Sequence, residues 1–500
     1  MSEVREVREV REVRDAAPRR AWPELAALGL WLLATIALRP LLLPDEGRYA
    51  GVAFEMLHGS ALVPTLDGLP FFHKPPLLYW LDLGALQLFG VHAFAARLGP
   101  ALLAWLLGAA TFWHLRRWHG PRVARIGLAV LATSPLFYVG GQYVNHDIGV
   151  AACITLAVLA VVRAVDDPQR TDLRWLVLGW ALCAVGVLAK GLIGIVLPAF
   201  VVGPWLLAQG RWRQVLSLLH PLALLAFALV ALPWMALMQS RYPGFLDYFI
   251  VDQHFRRFTG TEFNNRQPFW FFVVVLPLLM LPWSLWAWPA LRQRGARAGL
   301  YLWWIVAIVG FFSLPSSKLV GYVMPALAPA AALLALALAA RGTPWRRVAT
   351  GAAVFCVGLV LLLAWKAPGS NRDIGHVLAA RWQRGDRLAF AGYYFYDVRF
   401  YAGIETPAIV LSDWDDPKIA QRDDWRKELF DATRFTADAG RSVLWTWSRV
   451  PELPCHGGRL WIVARPGDEA RLAALPGLRT VVRGRNSLLL QAPTQQCSAG

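Results

Sequence analysis

The sequence predicts an all-α polytopic membrane protein followed by a soluble α/β domain, and three observations carry that reading. Of its 500 residues 57% are hydrophobic and only 17% charged, against about 25% charged in soluble domains. Apolar runs approaching the roughly 20 residues that cross a bilayer recur from Leu25 to Lys366. Beyond Lys366 the pattern changes to short β-rich runs separated by Gly, Pro and Asp turns.

The N-terminal residues 1–21 begin with a Glu-Val-Arg repeat whose period of three fits neither a heptad nor a strand, so they read as a low-complexity cytoplasmic tail. Arg19 and Arg20 then precede the apolar run Leu25–Leu43. That run lacks a small-residue cleavage site and more spans follow, so it is an uncleaved first span with its N-terminus inside. Next comes PDEGRYAGVAFEMLHGSALVPTLDGLPFFHKPPLLYW, Pro44–Trp80, which brings Asp45, Glu46, Arg48, Glu55, Asp67, His73 and Lys74 to the membrane edge. Ionisable groups beside hydrocarbon are costly, and a cluster of them marks a functional site. Within this stretch Gly47–Leu57 has the spacing of an amphipathic surface helix, and 77–91 that of a short interfacial segment. For Asp67 and Asp82 the alternative reading is a solvated loop charge.

Further spans are expected near 98–115, 125–143, 148–164, 174–189, 191–208, 216–236, 269–290, 299–314, 319–339 and 348–366. The close pairs and short segments put the total at about 11–13. Arginines fall in alternate loops (Arg116, Arg117, Arg163, Arg170, Arg211, Arg213, Arg292, Arg294, Arg297, Arg346 and Arg347 among them), the bias that cytoplasmic loops carry. The other loops hold Asp147, Lys190, 241–267 and Lys318, on the same side as Pro44–Trp80. This distribution accounts for the net charge of +17 without a basic face interleaved with aromatics, and it excludes nucleic-acid binding.

Residues 22–366 thus form a membrane domain whose loop 44–97 gathers the charges, and 367–500 an outer α/β domain. Strands are expected at Arg387–Tyr401, Ala408–Leu411, Ser442–Trp447, Leu460–Ala464 and Leu478–Gln491, with helices at 372–384 and 415–433. In an oxidising compartment Cys455 and Cys497 are candidates for a disulfide.

Acids and bases gathered on an outer membrane face suit a transferase whose activated donor is delivered by the membrane, since ATP is absent there. A sugar on a polyprenyl phosphate fits. Its leaving phosphate needs cations, for which Arg48, Lys74, Lys190 and Lys318 are the candidates, and a hydroxyl acceptor needs a carboxylate base, either Asp45 or Asp147.

The motifs PDEGRYA (44–50), FFHKPPLLYW (71–80), NHDIG (145–149), LAKGLIGIVLP (188–198), DQHFRRF (252–258), the QPFWFF run (267–272) and SSKLVGYVMPALAP (316–329) occur in one order over the first 340 residues. In this the chain resembles the integral-membrane GT-C glycosyltransferases that use polyprenyl-phosphate sugars, of the lipid A aminoarabinose transferase and protein O-mannosyltransferase type. The resemblance implies a GT-C-like bundle. It makes Asp45 the leading candidate for the catalytic carboxylate, supported by Glu46 and Tyr49, and Asp147 a second acid. Arg48, Lys74 and Lys190 match positions around the donor phosphate, and Lys318 and Tyr322 a segment near the lipid phosphate. His73 departs from the pattern, standing where those aminoarabinose transferases tend to place a Glu. A divalent metal held by His73 and His254 is the one cofactor this leaves open.

The expected function is inverting transfer of a sugar from undecaprenyl phosphate to lipid A or another envelope lipid or glycan. It would take place on the periplasmic face of a bacterial inner membrane, with the N-terminus cytoplasmic and the C-terminal domain periplasmic. Transfer to protein Ser or Thr is the alternative acceptor. A lipid-linked sugar transporter or flippase is the alternative class, but it expects midplane charges and repeated halves that the sequence lacks.

Overall fold

The computed structural model describes residues 21–256, 265–366, 369–456, 458–473, 475 and 477–493, without the side chains of 254, 255 and 456. The tail up to residue 20, residues 257–264 and Cys497 therefore lie outside the described residues. The chain divides into two compact units, Met1–Ala37 with Pro100–Pro233 and Asn265–Leu362, and Leu38–Gly99 with Trp234–Asn264 and Leu363–Gly500.

Among the described residues seven helices are long and apolar enough to cross a membrane, or eight if the bent pair Phe271–Leu279 and Trp283–Leu291 is one span. The chain is a multi-span membrane protein. Breaks and short helices account for the lower number of long spans. The expected 98–115 and 125–143 form one helical run, Leu98–Ala132, broken where Gly120 takes φ 82° before Pro121, which has no N–H to donate. The first apolar run is helical only over Trp22–Leu33, and Leu77–Phe89 and Ile193–Ala208 are likewise short. In the first unit, helices His146–Ala164 and Leu173–Lys190 pack side by side. Asn145 caps the first of them by accepting from the Asp147 N–H, and Asp172 caps the second by accepting from Arg174, each satisfying an N–H the helix itself leaves unpaired.

The second unit begins with the expected helix, Asp45–His58. A hairpin of β1 (Thr65–Leu66) and β2 (Leu69–Pro70) follows. Asp67 and Gly68 between them take φ 55° and 76°, the positive values that an Asp-Gly turn accepts at least cost. A π-helix, Asp247–Arg256, also belongs to this unit.

The C-terminal part is a six-stranded sheet of β3 (Arg387–Ala391), β4 (Ile409–Leu411), β5 (Leu444–Trp445), β6 (Leu460–Ala464), β7 (Arg479–Arg483) and β8 (Leu488–Ala492), in the order β5-β4-β3-β6-β8-β7. The first four in that order are parallel, and β8 and β7 add an antiparallel edge. On one face Ala389, Ala391, Leu460, Ile462, Ala464, Leu488, Leu490 and Ala492 form the core. Their neighbours Leu388, Phe390, Trp461, Val463 and Leu489 are buried as well, so these central strands read as continuous apolar runs. Two expectations are corrected here. Leu478–Gln491 is not one strand but the hairpin β7–β8. The run Arg387–Tyr401 leaves the sheet after Ala391 and ends in a short helix, Val398–Ala402. Cys455 is disulfide-bonded.

Candidate active site

The first turn of helix Asp45–His58 places Asp45 and Arg48 three residues apart, on one side of the helix, and they form an ion pair. The Arg48 guanidinium also bonds Glu428, and Glu428 accepts from the Tyr396 hydroxyl at 2.7 Å. The Arg48 guanidinium lies 5.0 Å from the Tyr49 ring centroid and 5.7 Å from that of Tyr396. One cation is thus shared by two carboxylates, and Asp45 is the more open of them at 27% exposed against 13% for Glu428. Burial pushes the Glu428 carboxyl above its ordinary range despite Arg48.

Beneath this pair Glu46 is wholly buried between Arg39 and Arg97. Arg97 donates to both Glu46 oxygens at 2.8 and 2.9 Å and to the carbonyls of Arg39 and Pro40 at 2.8 and 2.7 Å. Arg39 bonds the same carboxylate, as does the Leu42 N–H at 2.8 Å. Burial alone would raise the Glu46 carboxyl, but the two guanidiniums outweigh it and hold it down at about 2. This anchor fixes the chain entering the helix, and so the position of Asp45. Close approach on the next side depends on Gly47, where a Cβ would come within 3.1 Å of Tyr396 Cβ and 2.3 Å of a Leu43 methyl.

Farther along the same helix Glu55 accepts from the N–H groups of Asp67 and Gly68 at 2.6 and 2.9 Å. Arg399 bridges Glu55 and Asp67 at 2.5 and 3.1 Å. Asp67 is therefore no solvated loop charge: it is fully buried, and burial, opposed by Arg399, pushes its carboxyl up to about 7. Asp82 is corrected likewise. It sits fully buried on helix Leu77–Phe89, with no hydrogen bond to either carboxylate oxygen among the described residues.

Lys74 donates to the His73 carbonyl at 3.1 Å. The His73 ring stacks on Phe71, 4.7 Å between centroids, and lies 5.8 Å from the ring of Tyr248. The His254 side chain lies outside the described residues, and among those described no group of three metal-ligating side chains occurs.

In the first unit Asp147, in the first turn of His146–Ala164, pairs with Lys190 at the end of Leu173–Lys190. Both are nearly enclosed, at 8% and 13% exposed. The Lys190 ammonium lies 4.5 Å from the Tyr322 ring centroid, a cation–π distance. A Cβ on Gly321 would sit 1.9 Å from Asp147 Oδ2, so only glycine lets this backbone pass the carboxylate. Lys318 is buried and donates to the carbonyls of Gln267, at 2.9 Å, and Pro315. Its amine ties the strip 265–267 to 315–317, and burial lowers its pKa.

Sequence reasoning missed Arg39, Arg97, Gly321, Tyr396, Arg399 and Glu428. Arg39 and Arg97 carried a signal, since each is a lone arginine at the edge of an apolar run and needs a buried acid as partner. Glu428 carried none, standing 380 residues from Arg48.

Residues 41–249 match the family described as Dolichyl-phosphate-mannose-protein mannosyltransferase. The matched residues include Asp45, Glu46, Arg48, Tyr49, His73, Lys74, Asp147 and Lys190, whereas His254, Lys318 and Tyr322 lie beyond them. Among relatives, the undecaprenyl phosphate-alpha-4-amino-4-deoxy-L-arabinose arabinosyl transferase of Pseudomonas aeruginosa (strain UCBPP-PA14) is 34% identical over 69% of this chain and 64% of its own length. That of Erwinia tasmaniensis is 34% identical over 61% of this chain and 57% of its own. The matched region thus spans less than two thirds of either relative. ArnT from Cupriavidus metallidurans, solved bound to undecaprenyl phosphate, superposes with a TM-score of 0.81 over 95% of this chain and 98% of that one, at 22% identity. The chain therefore has that fold, the GT-C-like helical bundle with a C-terminal α/β domain.

Proposed function

We propose that this protein is an inverting glycosyltransferase that moves a sugar from undecaprenyl phosphate to lipid A or another envelope lipid or glycan at the periplasmic face of a bacterial inner membrane. The observation that carries the reading is the partly open Asp45 carboxylate, held by Arg48, which Glu428 also engages, in a chain similar to undecaprenyl-phosphate sugar transferases. The bond from the sugar's anomeric carbon to the carrier phosphate breaks as the acceptor oxygen attacks from the opposite face. No covalent enzyme intermediate forms. Asp45 takes the proton of a hydroxyl acceptor, or positions an acceptor that is already an anionic phosphate. Lys74 and Lys190 meet the charge developing on the departing phosphate, with Tyr322 and Asp147 setting Lys190. Arg48 orients Asp45, Glu46 and Tyr49 brace that turn, and Lys318 supports the lipid-phosphate segment. In this reading 22–366 is the transferase domain, 44–97 its catalytic loop and 367–500 the outer domain, where a bonded Cys455 suits an oxidising compartment.

Transfer of a mannose-type sugar to protein Ser or Thr is the second reading, favoured by the description of the matched family. Mass spectrometry of lipid A and envelope glycans separates the two, using cells with the protein, without it, and with Asp45→Asn. A sugar-sized mass lost from a lipid or glycan fraction in both deficient strains is the expected result. Unchanged lipids and glycans beside a glycoprotein that loses its sugar would favour the second reading, and no change in any fraction would overturn both.

A further inference from the structure

On the arginine-rich side of the first unit a cavity of about 490 Å³ opens, lined among others by Trp118, Asp166, Trp205, Arg211, Arg294 and Arg297. It is far from the Asp147–Lys190 pair. Asp147 lies in the first turn of helix His146–Ala164 whereas Val162 and Val165 at the other end line the cavity, a separation of about 22–27 Å at 1.5 Å per residue.

The charges around this cavity do not balance. Asp166 is the one acid in the lining, and it is already shared by Arg297 at 3.3 Å, Arg163 at 3.4 Å and Arg117 at 3.8 Å. Arg211 spends its donors on Gln214 Oε1, at 2.5 Å, and the Val165 carbonyl, neither of which carries a charge. Arg294 is exposed and makes no ion pair among the described residues. Burial lowers the Arg211 pKa despite Asp166 and Asp167, as expected of a cation without enough counter-charge. The first turn of helix Ala296–Ser313 also faces in, and no side chain caps it, so its N–H groups add donors suited to an anion.

The rest of the surroundings is apolar. Trp118, Trp205, Val162 and Leu336 line the cavity, the Arg297 guanidinium stacks 3.3 Å from the Trp118 ring centroid, and the neighbouring Leu207 and Trp212 are each 55% exposed. A cationic cup with a greasy rim suits a phosphate carried on an amphiphile.

We propose that this cavity binds a phosphate ester anion, through Arg211, Arg294, Arg297 and the first turn of helix Ala296–Ser313. Two sources supply that chemistry, the headgroup of an anionic membrane lipid and a soluble phosphate.

The test is native mass spectrometry of the purified full chain in detergent, titrated with phosphatidylglycerol, with phosphatidylcholine, and with phosphatidylglycerol in the presence of millimolar inorganic phosphate. Wild type is expected to retain phosphatidylglycerol over phosphatidylcholine, and Arg211→Gln/Arg294→Gln to lose at least about tenfold of that retention. Arg294→Gln alone changes only an exposed side chain and should lose part of it. Retention that survives inorganic phosphate assigns the cavity to a lipid headgroup, and displacement assigns it to a soluble phosphate. Equal retention by wild type and the double variant would overturn the proposal. So would an equal loss in Arg346→Gln/Arg347→Gln, which removes two arginines outside the cavity, because net charge alone would then explain the binding.

Discussion

Asp45 and Asp147 begin from the same local design. Each stands in the first turn of a helix, where the partly positive end favours a carboxylate, and each is paired to one cation. They differ in where that cation comes from and in what surrounds it. Arg48 is three residues from Asp45 and is shared with Glu428, so one guanidinium is divided between two carboxylates. Lys190 reaches Asp147 from another helix and serves no second acid among the described residues, so that pair is neutral. Asp45 is 27% exposed and Asp147 8%, so under the proposed function the first is the one a substrate can reach and the second is closed around its lysine. One acid–cation motif thus sits in two different settings, and its second neighbours rather than the pair make the difference.

The comparison is broken most severely from below Asp45. Glu46→Gln strips the charge from a carboxylate buried against Arg39 and Arg97 and leaves two guanidiniums uncompensated, which should cost about 3–5 kcal/mol. Thermal unfolding of the purified protein in detergent reads this directly, as a large drop in the midpoint. The pH dependence follows from the same group. Its folded carboxyl is held at about 2 against an ordinary 4.5, so the stabilisation is complete above 4.5 and fades as pH falls toward 2.

A smaller effect is expected at the other acid. Gly321→Ala drives a methyl into Asp147 Oδ2, and the forced shift should cost about 1–3 kcal/mol. It should also raise the donor concentration needed for half-maximal transfer, with little change at Asp45. Wild-type donor dependence in that variant would detach Gly321 from the Lys190 setting.

The smallest effect at neutral pH belongs to Asp67, and its sign is opposite to that of Glu46. Burial raises its folded carboxyl to about 7 against an ordinary 3.8. The folded state then holds more protons than the unfolded one between those values, and stability falls as pH rises from about 4 through 7. Asp67→Asn should remove this slope, which unfolding midpoints measured across that range will show.

What the sequence disclosed is what local spacing encodes. Apolar runs announced most of the membrane helices, and the Asp45–Arg48 pair lies within one helical turn. What it concealed depends on distant segments. Arg399 reaches Glu55 and Asp67 across more than 300 residues, and Arg97 reaches Glu46 across 51. Asp67 and Asp82 look like ordinary loop charges until the fold buries them. Nothing local to Lys318 announces that its amine donates to the carbonyls of Gln267 and Pro315. The break in Leu478–Gln491 is local: Gly484–Ser487 make the turn between β7 and β8, the Gly484 N–H donating to the Ser487 carbonyl, between apolar residues that resemble one continuous strand.

The most direct test of the contrast between the two acids is single-turnover sugar transfer by the purified full chain, comparing Asp45→Asn with Asp147→Asn at saturating undecaprenyl-phosphate-linked donor. Loss of the Asp45 carboxylate should slow transfer by about 10²–10⁴-fold, while Asp147→Asn should recover most of the rate once donor is saturating. A wild-type rate in Asp45→Asn, or an equal and unrecoverable loss in Asp147→Asn, would contradict the account.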